Sequence, residues 1–134
     1  MNNTDRIRLS FPVNSAYVSS ARLTASSIAN RIKFDIDEIE DMKTAVSEAC
    51  TYIIKRSAGF TENHFEICFL PGPDEMTVEI VAQDSKSDDW PEDPDEEMSL
   101  MMIKALVDKF EISKEKENHV TITMVKKHKE TSFE

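Results

Sequence analysis

The sequence predicts an α+β fold, a two-layer α/β sandwich with helices on one face of a mixed, mainly antiparallel sheet. Three observations lead there. Four short runs alternate apolar and polar residues, the period of half-buried strands. Three longer runs repeat apolar residues in steps of three and four, the period of amphipathic helices. The order is strand, helix, helix, strand, strand, helix, strand, which suits one sheet covered on one side.

Ile7, Leu9 and Phe11 alternate in the first strand, which Pro12 and Asn14 break. From about Ser15 to Ile32 the apolar positions Val18, Ala21, Ala25, Ile28 and Ile32 predict a helix. A second helix is expected to begin near Asp37 as N-cap. It carries the stripe Ile39, Met42, Val46, Ala49, Cys50 and Ile53 and fades near Ser57, with Gly59 as C-terminal cap. Phe65, Ile67 and Phe69 form the next strand. Pro71-Gly72-Pro73-Asp74 is a turn, and Met76, Val78, Ile80 and Ala82 continue on one face of its hairpin partner. Asp84 to Glu97 reads as an acidic, proline-containing loop. Leu100, Ile103, Leu106, Val107 and Phe110 then predict a third helix, with Lys104, Asp108 and Glu111 opposite. A polar turn at Lys114 to Asn118 precedes a last strand through Val120, Ile122 and Met124.

With 134 residues and 40% hydrophobic content, the chain suits one domain, 1–134, with a charged tail expected to fray from about residue 127. A net charge of -10 disfavours direct nucleic-acid binding, because no basic phosphate footprint exists. The polar start MNNTDRIRLS has no apolar signal core, and no run is long enough to span a bilayer. Cys50 and Cys68 make no disulfide framework, and His64, His119 and His128 show no ligand spacing, so no metal site is expected. Cys50 lies on the core stripe as a small hydrophobe. Together these features point to a cytoplasmic protein with no membrane association. Glycine is scarce, only Gly59 and Gly72.

The stretch AYVSSARLTASSIANRIKFDIDEIEDMKTAVSEACTYIIKRS, Ala16 to Ser57, resembles the bacterial anti-sigma-B and anti-sigma-F serine kinases of the GHKL (histidine kinase-like) ATPase superfamily. DEIEDMKTAVSEACT is especially similar, and LMMIKALVDKFEI resembles that family's final helix. The resemblance implies the histidine kinase-like ATPase fold. It implies proteins that bind a sigma factor and keep it from RNA polymerase. Many members also use Mg-ATP to phosphorylate an anti-anti-sigma protein on serine, and they commonly form homodimers. By resemblance alone, the first strand and first helix are the candidate dimer surface.

The same resemblance marks three nucleotide motifs, and all are altered. In the helix box, Glu48 keeps the glutamate that acts as base or positions water, but Tyr52 replaces the asparagine that helps hold Mg²⁺. A neutral phenol is a poor ligand for an ion demanding a strict octahedron of close oxygens. Pattern alone reads Glu48 as a solvated helix glutamate and Tyr52 as a rim-packing aromatic. In the adenine motif, Asp84 fits the aspartate, with a strand-end turn carboxylate an equal reading. Alternation argues against Gln83 in its place. Lys86 and Asp88 replace the two glycines, filling space and making any positive φ costly. In the Gly-x-Gly that receives phosphates at a helix N-terminus, the positions are Glu97 and Ser99. Like charges about 4 Å apart repel by roughly 4 kcal/mol at an effective dielectric near 20. Asp95, Glu96 and Glu97 also simply complement the helix dipole. The family's longer glycine-containing lid is missing.

The expectation is therefore an anti-sigma-type regulator that binds a sigma factor or partner-switching protein without ATP binding or kinase activity. An active serine kinase with Mg-ATP is the alternative, and a scaffold that only dimerises a third. Arg22, Thr24, Ser27 and Arg31 contribute to the outer side of the first helix. Arg22, in ARLT, is the expected partner contact, against the plain reading of a solvated arginine. The acidic run Asp88 to Glu97 reads first as a solvated face. Contact with a basic sigma-factor surface, or Trp90 plugging the pocket, are the functional readings.

Overall fold

The computed structural model describes residues 5–57, 60, 62–83, 94–114 and 119–129. Strand β1 (Ile7–Pro12) leads through a 3-10 turn (Ser15–Tyr17) into helix α1 (Val18–Ala29). Helix α2 (Ile36–Lys55) follows, then the hairpin β2 (His64–Pro71) and β3 (Glu75–Gln83), helix α3 (Pro94–Leu106), and strands β4 (Lys109–Lys114) and β5 (His119–Lys127). The strands form one five-stranded sheet in the order β1-β2-β3-β5-β4, and every pairing in it is antiparallel. The expected mixed sheet is thus a wholly antiparallel one: β2 pairs with β3 and β4 with β5, and β5 inserts between β3 and β4, the two strands that run the same way across the α3 crossover.

Alternation decides which face is buried. Phe65, Ile67 and Phe69 of β2, Met76, Val78, Ile80 and Ala82 of β3, and Val120, Ile122 and Met124 of β5 all turn inward. Phe11 of β1 joins them and lies over Phe65 with ring centroids 6.0 Å apart. The helices cover this face. Helix α2 packs between α1 and α3 and contributes Met42, Ala45, Val46, Ala49, Cys50 and Ile53, all with no exposed surface. Burial pushes the Cys50 thiol up to about 12, so it packs as a neutral small hydrophobe.

The element bounds differ from several of the sequence expectations. The first helix is shorter than expected, since Asn14 caps a 3-10 turn through Ala16 N–H before α1 begins, and α1 ends at Ala29. The N-cap of α2 is Asp35, not Asp37. DIDEIE contains two overlapping capping boxes, Asp35 with Glu38 and Asp37 with Glu40. The first one forms: Asp35 Oδ1 accepts Glu38 N–H at 2.8 Å, and Glu38 Oε1 accepts Asp35 N–H at 2.9 Å. That choice places Phe34 just outside the cap, where it is buried. The acidic stretch assigned to a loop through Glu97 is helical from Pro94 onward, with proline in the first turn, where its missing N–H costs nothing. Residues 84–93, with Trp90, and Gly59 lie outside the described residues.

The third helix does not run to Phe110. It stops at Leu106, and a strand missed by the sequence reading, β4, begins at Lys109. Phe110 and Ile112 fit both a helical and an alternating period. Contacts from β5 decide between them. Asp108 N–H donates to Val125 O at 2.8 Å, and Asp108 Oδ2 accepts Lys127 N–H at 2.7 Å. Lys126 Nζ donates to Leu106 O at 2.8 Å, placing a cation at the negative end of α3. It also pairs with Asp41 of α2 at 3.0 Å.

Past β5, residues 128 and 129 hold contacts with the rest of the domain. Glu38 is buried, and its Oε2 accepts Lys129 N–H at 2.7 Å while Oε1 lies 2.8 Å from His128 Nδ1. His128 N–H donates to Asp74 O at 2.8 Å. Burial alone would raise the Glu38 pKa. The hydrogen bonds from Lys129, His128 and Asp35 outweigh it and hold the carboxyl below its ordinary 4.5. A lowered folded-state pKa means the unfolded chain binds more protons in that range, so this stabilisation is present above pH 4.5 and fades as pH falls through the folded-state value. Glu38→Gln is expected to lower stability by about 1–3 kcal/mol at neutral pH. Its melting temperature should also fall less steeply than the parent's below pH 4.5, checked by thermal melts across an acid series.

Candidate functional site at the α2–α3 seam

Glu48, Tyr52 and Arg56 stand four residues apart and share one stripe of α2, with about 6 Å of rise between each. Glu48 is half-buried, between the core residues Ala45, Ala49 and Tyr52 in sequence. Tyr52 is only 3% exposed. It is a core residue rather than the rim aromatic that pattern alone suggested. Arg56, the C-cap of α2, is also buried.

Across the seam lies the first turn of α3. Its phase is set by Leu100 and Ile103, which enter the core. One turn before Leu100 on that phase is Glu96, and its Oε1 accepts from Arg56 Nη1 at 2.8 Å. This pair joins the end of α2 to the start of α3 with little solvent around it, the side chains being 6% and 18% exposed. Glu97 points to solvent and Ser99 is half-buried. The acid that turns inward is therefore Glu96. Sequence reading missed both members of the pair. The signal was present in the steps of four from Tyr52 to Arg56 and from Glu96 to Leu100, but three consecutive acids hid which one the helix phase selects.

Asp84, Lys86 and Asp88 lie outside the described residues, so the geometry brings together Tyr52, Arg56 and Glu96 of the nucleotide motifs' neighbourhood, with Glu48 one turn away. Arg22 is on a different surface, exposed on α1. Ser27 and Arg31 are also exposed. Thr24 is half-buried, and its hydroxyl donates back to Ser20 O at 2.9 Å. Among the described residues no three His, Cys, Asp or Glu side chains are grouped to hold a metal ion. No described helix is long and apolar enough to cross a membrane.

An antiparallel sheet with one helical layer, whose central helix carries Glu48 at the place of the family's helix box, is the architecture of a GHKL-type domain. Comparison with known proteins agrees: residues 11–126 match the histidine kinase-like ATPase domain family. The chain is 34% identical over 129 residues to a serine-protein kinase RsbW of Bacillus cereus (strain B4264), covering 84% of this chain and 79% of the relative. It is 39% identical over 85 residues to RsbW of Bacillus thuringiensis (strain Al Hakam), covering 63% and 52% respectively. A crystal structure of the RsbU and RsbW domains of Rv1364c from Mycobacterium tuberculosis superposes with a TM-score of 0.69 at 16% identity. That match covers 92% of this chain but only 32% of the longer one, and it shows the shared fold. The chain belongs to the histidine kinase-like ATPase family, in the group of the RsbW serine-protein kinases.

The seam pair makes a quantitative prediction. Arg56→Ala leaves Glu96 facing a largely desolvated gap, and about 3 kcal/mol of stability should be lost. A double-mutant cycle with Glu96→Gln should give a coupling energy of roughly 1–3 kcal/mol by urea unfolding.

Proposed function

We propose that this protein is an anti-sigma-type regulator that binds a sigma factor, with release by an anti-anti-sigma protein, and that it acts in the cytoplasm as a homodimer without nucleotide. The kinship with RsbW supports the regulatory class. The α2–α3 seam carries the nucleotide-free half of the reading. At the position where the family resemblance puts a metal-binding asparagine stands a buried phenol, Tyr52. Four residues on, the buried Arg56 cation is already matched by the carboxylate of Glu96. An entering triphosphate would have to displace that carboxylate or lie beside it, and Mg²⁺ would meet a neutral phenol where it needs a hard oxygen ligand. The residues at this seam do not fit Mg-ATP.

A serine kinase is the second reading, favoured by the name of the relatives and by Glu48 keeping its place on α2. Calorimetric titration with ATP and ADP, with and without Mg²⁺, separates the two. No heat of binding at millimolar nucleotide is expected. Micromolar, Mg²⁺-dependent binding would overturn the nucleotide-free reading, and transfer of label to serine of an anti-anti-sigma protein would establish the kinase.

A further inference from the structure

Helix α3 has two apolar faces. Leu100 and Ile103 are inside the core, as a helix lying on a sheet requires. Met98, Met101 and Met102 face the other way and are 67%, 66% and 51% exposed. With Ala105, also exposed, they occupy positions i, i+3, i+4 and i+7, one stripe about two turns long. Three unbranched thioethers in a row form a surface that adapts to a partner's shape. That spacing matches the way two helices lie face to face.

The rim of the stripe is charged in one sense at its start. Asp95 and Glu97 are exposed in the first turn, while Glu96 is turned inward to Arg56. At the other end Lys104 lies over the Phe110 ring, 5.7 Å from its centroid. In a symmetric pairing of two such faces the exposed Asp95 and Glu97 would add like charge at the contact, which opposes a second copy as the occupant of this face.

We propose that the outward face of α3 docks a basic amphipathic helix of a partner protein, its apolar side on Met98, Met101 and Met102 and its lysines or arginines toward Asp95 and Glu97. This rests on the partner-binding reading above and adds the surface and the chemistry of what it takes. Electrostatic attraction would speed encounter, and the methionine stripe would hold the docked helix.

The test is a methyl NMR titration of the full chain with ¹³C-labelled methionine. The probe is a synthetic 18-residue helix with leucines on one side and lysines on the other. A scrambled peptide of the same composition and a leucine–glutamate helix are the controls. Met42, Met76 and Met124 are fully buried and serve as internal references. Saturable shifts confined to the three outward methyl groups are expected. The combined variant Met98→Gln, Met101→Gln, Met102→Gln should keep its melting temperature and bind the probe at least tenfold more weakly. Equal affinity for the scrambled peptide, undiminished binding by the variant, or shifts that follow protein concentration without peptide would each overturn the proposal. A variant that still binds a sigma factor as tightly as the parent would also remove this surface while leaving the regulatory reading intact. If the parent binds no sigma factor at all, that reading fails, and the peptide titration still judges the surface.

Discussion

Helix α2 is held along its length by the core and at each end by a carboxylate. Met42, Ala45, Val46, Ala49 and Ile53 leave it no exposed apolar surface on the sheet side. Near its start, Glu38 closes the capping box and receives Lys129 and His128. Just past its end, Arg56 meets Glu96. A helix so constrained cannot rotate or slide without breaking a buried polar contact, and breaking one such contact costs more than most apolar substitutions at the surface. The positions of Glu48 and Tyr52 relative to α3 follow from that seating.

The two carboxylates do different work because their surroundings differ. Glu38 accepts from backbone N–H groups and one imidazole, supplied by the cap and by the two residues that follow β5, so its ionised form is the preferred one. Glu96 faces a guanidinium across two independent helices. Its contribution depends on α3 keeping its phase, which Leu100 and Ile103 set. The seam is therefore coupled to the packing of α3 on the core.

Much of this arrangement was readable from the residues. The strands β1, β2, β3 and β5 were legible because each buries mainly one side, Cys68 of β2 being a buried residue on the other, and alternation survives in Met76, Val78, Ile80 and Ala82 without interruption. The stripe of α2 was equally plain. The element lost was β4, where no glycine or proline marks the end of α3 and Phe110 satisfies both periods. Val125, Lys126 and Lys127 of β5 settle it from elsewhere in the chain, and local sequence holds no trace of that. The choice between two capping boxes has the same character: both are locally sound, and the partner at Lys129 distinguishes them. At the site, the position of Tyr52 was legible through a family resemblance, but its burial was not. The Arg56–Glu96 pair needed the phase of two helices at once.

The last strand of the domain, β5, sits between β3 and β4 rather than at the rim of the sheet. During synthesis β3 must wait with one side unpaired until residues 119–129 have emerged, and α2 lacks the partners of Glu38 and Asp41 for the same interval. Chains elongate at about 5–20 residues per second, far slower than strands pair. The nascent domain therefore passes through a period with an open sheet edge and an unsecured central helix. A partner that recognises the finished helical layer would engage only chains translated through Lys129, which makes completion of the domain itself a checkpoint on when regulation can begin.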